Sequence, residues 1–303
     1  MEGPVSTGSR ARLDSKLKGV LTLSRAGREN EKGKEKEIRR YYRALSRAWG
    51  AQHWWPAETR FEVIVGAYLT QNTAWTNVER ALANLRTAEL LSLEGIRGVP
   101  LGRLERLIRP SGYFRQKAQR LKTFIAFLDD KYGGSLDQLF AQPTDGLREE
   151  LLGLHGVGPE TADSILLYAG NHPVFVVDAY TRRILDRHGI LPEKTDYEQI
   201  RELFEKALAT AGREPEARPA SEEAQQATGV RGAAHPTGHP AGGPAGHSQG
   251  HPPSAMSTAT RTPLAQVYNE MHGLIVGVGK NYCGKSQPKC DGCPLQRFLP
   301  RVK

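Results

Sequence analysis

The sequence has few cysteines and lacks any long apolar run. Only three cysteines occur among 303 residues, and this small, odd number argues against a disulfide framework. No stretch approaches the roughly eighteen consecutive apolar residues that indicate a transmembrane helix, and the N-terminus lacks the apolar core of a signal peptide. We therefore expect a cytoplasmic protein with no membrane partner.

Basic residues outnumber acidic ones. Lys and Arg total 42 against 33 Asp and Glu, which gives a net charge of +9 and a pI near 9.5. This balance favours an acidic partner. Nucleic acid is favoured over an anionic membrane, because no basic amphipathic stretch carries a bulky apolar face.

Composition divides the chain into ordered and disordered parts. Residues 1–37 are polar and rich in interspersed charge, which predicts a disordered basic arm. Order is expected from Ile38, and from there to about Leu208 the pattern is almost wholly helical, with short Gly/Pro connectors. Gly, Pro, Ala, His and Ser dominate residues 212–258, which predicts a disordered insertion. Helical periodicity returns at Leu264.

A glycine-punctuated turn separates two apolar-periodic segments. Gly156 and Gly158 can adopt positive φ, so their amides can converge at the start of the helix predicted from Thr161 to Leu167. Converging amides at a helix N-terminus bind phosphate. The alternative is an ordinary helix C-cap and tight turn.

The glycine hairpin is followed by a short helix, a β-like Val-Phe-Val-Val run and Asp178. This order of motifs resembles that of the helix-hairpin-helix glycosylases of the endonuclease III superfamily. Upstream, residues 61–73 resemble the family's helix that ends in a glutamine loop, and residues 109–118 resemble a later helix start. Together the similar stretches span about residues 38–208 and 262–293.

The resemblance implies an all-α fold with two lobes and DNA bound across the cleft between them. One lobe of six helices would span residues 59–163 and end in the hairpin. The other, discontinuous lobe would combine residues 38–58, 164–211 and 259–282, with the cysteine loop and tail at 283–303. The target nucleotide would be flipped out of the duplex. We expect a monomer that binds double-stranded DNA containing a damaged base.

Asp178 takes the place of the family's catalytic aspartate. A carboxylate near C1′ of the sugar can stabilise oxocarbenium charge and orient an attacking water. The simpler interpretation is that Asp178 caps the helix that begins at Ala179, and the two roles are compatible.

The hairpin departs from the family at Glu160. Bifunctional members carry a lysine two residues after the second hairpin glycine, and its amine forms a Schiff base with the sugar. A carboxylate cannot form an imine, so the departure implies base release by water without strand cleavage. The alternative is that Glu160 only stabilises the first turn of its helix.

The arrangement of several aromatic residues resembles that in one branch of the superfamily, 3-methyladenine DNA glycosylase III. The branch stacks its base on residues that match Trp54, Trp55, Pro56 and Trp75, the last of which is an aromatic substitution, and Lys280 matches a lysine that reaches the pocket. Wide π faces suit an electron-poor, cationic alkylated purine. The alternatives are tryptophans packed in a core and a surface lysine that binds phosphate.

The resemblance also implies which residues contact DNA. The glutamine that matches Gln71 fills the gap left by the flipped nucleotide, and its amide can donate and accept toward the orphaned base. The alternative is a buried glutamine that caps a helix end. The hairpin residues expected to contact DNA are Gly156, Val157, Gly158, Glu160 and Thr161.

The cysteines match an incomplete metal loop. Cys283, Cys290 and Cys293 reproduce the first three ligands of the superfamily's C-x6-C-x2-C-x5-C iron–sulfur loop, but the fourth position is Leu299. Three cysteines cannot supply four thiolates to a [4Fe-4S] cluster within one monomer. Three interpretations stay open: a cluster with a non-cysteine fourth ligand, another metal such as zinc with a histidine, or a vestigial loop.

The sequence thus predicts a base-excision DNA glycosylase that hydrolyses the N-glycosidic bond of a flipped alkylated purine without AP lyase activity. One alternative is an endonuclease III-like glycosylase that acts on oxidised pyrimidines or mismatches and has lyase activity. The other is a helix-hairpin-helix DNA-binding protein without catalysis. Loss of base release on substitution of Asp178 would separate an enzyme from a binding module.

Overall fold

The computed structural model describes residues 8–209, 211 and 252–300, and the regular structure within them is helical, without strands. The predicted all-α class is confirmed. None of the described helices combines the length and apolar character needed to cross a membrane. The twelve α-helices of the described residues are α1 (Gly8–Trp49), α2 (Arg60–Thr70), α3 (Trp75–Thr87), α4 (Leu93–Gly98), α5 (Leu101–Leu107), α6 (Phe114–Tyr132), α7 (Leu136–Phe140), α8 (Thr144–Leu152), α9 (Pro159–Ser164), α10 (Ala179–Arg187), α11 (Tyr197–Leu208) and α12 (Pro263–Asn281).

The first helix begins earlier than the composition indicates. A disordered arm is predicted over residues 1–37, but α1 begins at Gly8, and residues 1–7 lie outside the described part of the chain. No proline occurs between Pro4 and Pro56, so nothing in this stretch removes a donor from the helical hydrogen-bond ladder. Among the described side chains, Ile38 is the first that is buried, so packing begins where the apolar periodicity predicts.

The predicted insertion ends earlier than expected. Residues 212–251 lie outside the described residues, but residues 252–258 belong to a turn that contacts the chain before α2. Met256 donates its backbone N–H to the carbonyl of Ala57 at 3.0 Å, and Ser254 Oγ accepts from the backbone N–H of Ala57 at 3.2 Å. Hydrogen bonds from small polar residues therefore order a segment whose composition predicts disorder.

Helices α3 to α9 form one packed set with α2, either by direct contact or through α6 and α9. Eight helices begin in the stretch predicted to hold six, because short helices such as α4 and α7 form between the longer ones. Thr59 caps α2 by accepting the backbone N–H of Glu62 at 3.0 Å, and every residue from Phe61 to Leu69 is buried. A helix buried on all sides is a central helix. It contacts α3, α6 and α9.

The remaining helices form a second packed set around α12. This helix contacts α1, α10 and α11, and it approaches α10 so closely that a Cβ at Gly279 would lie 2.1 Å from the ring of Tyr180. A single π-helical turn, Ile165–Ala169, follows α9 and contacts both α2 and α12. The two sets of helices therefore meet at this turn, next to the start of α10.

Candidate active site

Asp178 lies at the start of α10, where an extended apolar segment leaves the core. Val174, Phe175, Val176 and Val177 are each no more than 3% exposed. Asp178 Oδ1 accepts the backbone N–H of Thr181 at 2.7 Å and the Thr181 hydroxyl at 2.8 Å. Its other oxygen, Oδ2, is 3.7 Å from an imidazole nitrogen, His272 Nε2. Oδ1 thus caps α10, whereas Oδ2 takes no part in the cap and is available for another interaction.

Two residues that the sequence motifs do not identify adjoin this aspartate. The hydroxyl of Tyr168, in the π-helical turn, is 2.6 Å from Nδ1 of His272 in α12. Burial lowers the pKa of His272 against the opposing effect of the Asp178 charge, so the imidazole is neutral at neutral pH. The available sequence signal was the helical spacing of Tyr268 and His272, which are both buried in α12.

The two hairpin glycines have different backbone conformations. Gly156 has φ of 80°, and a Cβ there would lie 2.0 Å from Arg120 Nε. Gly158 has φ of −97° and open space around it, so the expectation of positive φ is correct for Gly156 and wrong for Gly158. Val157 between them is buried, so its backbone rather than its side chain is what the hairpin offers to a partner. Pro159, which lacks an N–H, begins α9.

Gln71, at the end of α2, is engaged with the hairpin. Its amide Nε2 donates to the carbonyl of Gly156 at 3.1 Å and to the hydroxyl of Thr161 at 2.9 Å. Its carbonyl accepts from the guanidinium of Arg120 at 2.5 Å. In this state the side chain holds the hairpin against α2 and α6.

Glu160 is in the first turn of α9, near Asp178. Its pKa is raised to about 7, first because the surrounding protein desolvates the carboxyl group and second because the charge of Asp178 disfavours a second anion, while Arg182 opposes both. The residue as a whole is exposed, so water weakens both effects on the pKa of Glu160. The site therefore places a second carboxyl group within reach of the charge of Asp178.

Three tryptophans form one cluster beside this pair. The ring centroids of Trp55 and Trp75 are 5.1 Å apart, and those of Trp54 and Trp55 are 5.2 Å apart. The ring of Trp54 is also 6.2 Å from that of His272, which connects the cluster to the aspartate. Trp54 and Trp55 are only 7% and 4% exposed, so much of their surface is packed in the protein, as the core alternative expects.

The predicted pocket residues differ in how they adjoin this cluster. Nζ of Lys280 lies 5.5 Å from the centroid of the Trp54 ring, and burial lowers its pKa while the charge of Glu79 opposes that change. Glu79 also accepts the indole N–H of Trp75 at 2.8 Å. Pro56 is half-buried in the connection that leads to α2. Lys280 and the three tryptophans are therefore brought together, with Pro56 adjacent in the chain.

A buried hydrogen-bond network lies behind the hairpin. Asp163, fully buried in α9, accepts from Arg148 Nε at 2.6 Å and from the hydroxyl of Tyr197 at 2.9 Å. The same tyrosine oxygen accepts the backbone N–H of Val177 at 3.2 Å. A continuous chain of hydrogen bonds therefore joins the helix of the hairpin to the residue immediately before Asp178.

The cysteine loop is attached to the opposite end of α10. Arg183 Nε donates to the carbonyl of Cys283 at 2.7 Å, and Arg187 donates to the Sγ atom of Cys283 at 3.1 Å and to the carbonyl of Gly284 at 2.8 Å. No group of three or more His, Cys, Asp or Glu side chains in the described residues is arranged to hold a metal ion. The position of the fourth thiolate is taken by Leu299, so the donor set does not fit a four-cysteine cluster.

Comparison with known proteins relates this fold and site to one family. The HhH-GPD superfamily of base excision DNA repair proteins matches residues 65–210. The "Putative DNA repair glycosylase" of Methanocaldococcus jannaschii is 38% identical over 86% of this chain and 94% of its own length. Endonuclease III of Thermotoga maritima is 34% identical over 49% of this chain and 65% of its own length.

A solved structure gives the same result. The crystal structure of the H. pylori 3-methyladenine DNA glycosylase, bound to 1,N6-ethenoadenine, matches with a TM-score of 0.57 at 27% identity and covers 81% of this chain and 97% of that one. Taken with the relative from M. jannaschii, this similarity extends over most of both chains. The chain belongs to the HhH-GPD superfamily of base excision DNA repair proteins and is a DNA repair glycosylase related to endonuclease III.

Proposed function

We propose that this glycosylase removes alkylated purines from double-stranded DNA and leaves the abasic strand intact. The observation that carries the proposal is the cluster of Trp54, Trp55 and Trp75, which adjoins Asp178 through His272. Indole faces attract an electron-poor or cationic base more strongly than a neutral one. The similarity to a 3-methyladenine DNA glycosylase over 81% of the chain supports the same substrate class.

Asp178 is the proposed catalytic carboxylate. With Oδ1 held by Thr181, its Oδ2 is available to stabilise positive charge at C1′ or to orient an attacking water. A purine alkylated at N3 or N7 already carries positive charge and leaves as a neutral base, so its departure needs no general acid. Burial lowers the pKa of Lys280 beside Trp54, which weakens the hold of that amine on its charge and so suits a cationic base.

Glu160 supports hydrolysis over strand cleavage. It takes the hairpin position of the family's lyase lysine, and a carboxyl group cannot form the imine that β-elimination requires. The similarity to an endonuclease III over 49% of this chain favours the alternative, a glycosylase with lyase activity. Borohydride trapping on damaged DNA separates the two, since only an imine intermediate gives a covalent complex.

The test of substrate class is base release from a panel of duplexes. Each duplex carries one lesion: 3-methyladenine, 7-methylguanine, thymine glycol or uracil opposite guanine. We expect release of the two alkylated purines and no borohydride-trapped complex. Release confined to thymine glycol or uracil would overturn the assigned substrate, and efficient trapping would overturn the monofunctional assignment. Binding without any release, by wild type and Asp178→Asn alike, would favour the non-catalytic alternative.

The three cysteines are proposed to organise structure and not to take part in base release. Their loop contacts the C-terminal half of α10 through Arg183 and Arg187, whereas Asp178 caps its N-terminus. At about 1.5 Å per residue, the nine residues of α10 separate the two ends by roughly 13 Å. No step of the proposed reaction passes through a metal.

A further inference from the structure

A buried imidazole faces the proposed catalytic carboxylate without forming a hydrogen bond to it. Nε2 of His272 is 3.7 Å from Asp178 Oδ2, which is beyond hydrogen-bond range, and it has no other hydrogen-bond partner in the described residues. His272 as a whole is only 4% exposed. A buried N–H without a hydrogen-bond partner lowers the free energy of unfolding, so its direction toward Asp178 requires an explanation.

The groups that face the two ring nitrogens together favour one tautomer of His272. The hydroxyl of Tyr168 is 2.6 Å from Nδ1 of His272, and burial raises the pKa of Tyr168 well above its usual range, so the hydroxyl keeps its proton and can donate. If the proton were on Nδ1, the lone pair of Nε2 would face the anionic carboxylate of Asp178. Both interactions therefore favour the tautomer with the proton on Nε2.

We infer that Tyr168 and His272 are positioning residues for Asp178, and that the N–H dipole of His272 Nε2, directed at Oδ2 from 3.7 Å, favours the carboxylate orientation that acts on the sugar. Thr181 already holds Oδ1 through hydrogen bonds from its backbone N–H and its hydroxyl. The imidazole acts on the second oxygen electrostatically. A neutral N–H dipole orients the carboxylate without neutralising the charge that must face C1′.

The position of the pair relates this role to substrate binding. The ring of Trp54 lies 6.5 Å from that of Tyr168 and 6.2 Å from that of His272, centroid to centroid, so the pair lies between the aromatic cluster and Asp178. A base bound against the tryptophans would therefore lie close to Tyr168 and His272, the side chains that orient the carboxylate. This inference rests on the proposed function, because it assigns Asp178 the catalytic role.

The test uses single-turnover base release from a duplex with one 7-methylguanine. His272→Leu removes the N–H, whereas His272→Gln retains an amide donor with the reach of Nε2 but no counterpart of Nδ1. We expect His272→Leu to slow release about ten- to hundredfold, the range expected for a misplaced catalytic group, and His272→Gln to recover most of that loss. Duplex affinity and melting temperature are measured for each variant to confirm that it folds and binds.

Tyr168→Phe adds a comparison that packing alone cannot mimic. In the wild-type background this substitution removes the hydroxyl that favours the Nε2–H tautomer of His272, and it should slow base release severalfold. In the His272→Gln background it should add no further loss, because the glutamine amide has no tautomer for Tyr168 to fix. Equal losses in both backgrounds, or a His272→Gln variant as slow as His272→Leu, would overturn the inference.

Asp178→Asn separates failure of this inference from failure of the proposed function. If Asp178→Asn is inactive while His272→Leu releases base at the wild-type rate, only the positioning role is wrong. If Asp178→Asn retains the wild-type rate, Asp178 is not the catalytic residue and the proposed function fails with it.

Discussion

The hydroxyl of Tyr197 donates to Asp163 Oδ2 at 2.9 Å and so ties the segment before Asp178 to the helix of the hairpin. The same tyrosine oxygen also accepts the backbone N–H of Val177. Asp163 and Val177 are both buried, so neither can form a replacement hydrogen bond with water when the hydroxyl is removed. The part of the chain proposed to grip DNA and the part proposed to cleave the glycosidic bond are therefore one hydrogen-bonded unit.

Tyr197→Phe should weaken this unit. It leaves a buried carboxylate and a buried amide each short of one partner, which costs about 1–3 kcal/mol of unfolding free energy. Base release should fall as well, because Val177 precedes Asp178. Denaturant unfolding and single-turnover release measure the two effects. Tyr268→Phe is the matched control, since its hydroxyl makes one long bond of 3.3 Å to a backbone carbonyl, and equal losses in the two variants would contradict the network.

Gly156→Ala and Gly158→Ala should differ sharply. At Gly156 the backbone is left-handed and the added Cβ would meet the Arg120 guanidinium at 2.0 Å, so we expect a loss of more than about 1 kcal/mol in unfolding free energy. At Gly158 φ is −97° and nothing lies within 4 Å of the added atom, so stability should change little. Chemical denaturation distinguishes them. Similar stability of the two variants would mean that the hairpin conformation is different in solution.

Glu160 should make stability depend on pH. Its pKa in the folded protein, about 7, is raised above the ordinary value of 4.5, so the folded state binds the proton more tightly than the unfolded state between these pH values. Stability from this group is fully present below about pH 4.5 and is lost as pH rises through 7. The wild type should therefore lose stability relative to Glu160→Gln between pH 5 and 8.

Unfolding by urea at the two pH values tests that prediction. Because Glu160 is exposed, we expect a small difference, in the stated direction only. Glu149→Gln in α8, an exposed helical glutamate outside the site, is the control for the loss of one carboxyl charge. A wild type that gains stability over Glu160→Gln as pH rises would show that the carboxyl is instead stabilised as an anion.

Arg187 should hold the cysteine loop in the absence of a fourth thiolate. Arg187→Lys loses the paired donation to Cys283 Sγ and Gly284 O, so Cys283 should react faster with a thiol reagent in a variant that also carries Cys290→Ser and Cys293→Ser. Arg103→Lys, at an exposed position of α5, should leave the rate unchanged.

A chelator should leave the melting temperature within about 1 °C of the untreated protein, because a loss of 1 kcal/mol in stability would lower it by about 2–4 °C. A larger fall would show that a metal holds the loop.

Much of the fold and part of the site could be predicted from local patterns. The helices follow from apolar periodicity, and the close approach at Gly156 follows from a glycine between two such segments. The cap at Asp178 follows from an aspartate before a helical stretch. Each of these signals lies within a few residues of the feature it predicts.

What could not be predicted depends on contacts distant in sequence. Tyr168 and His272 are 104 residues apart. Tyr168 also lies in an apolar run, where the sequence pattern predicts a core residue. The turn at Ser254 is ordered by hydrogen bonds to Ala57, 197 residues away, which no composition rule detects. The network through Tyr197 is likewise a product of how the helices pack.

The central claim is that Asp178, beside the tryptophan cluster, hydrolyses the glycosidic bond of an alkylated purine. The most direct measurement is the single-turnover rate of 7-methylguanine release by wild type and by Asp178→Asn, with duplex affinity measured in parallel. We expect release by the wild type, loss of release with affinity retained in the variant, and no borohydride-trapped complex. Release at the wild-type rate by Asp178→Asn would contradict the catalytic role of Asp178.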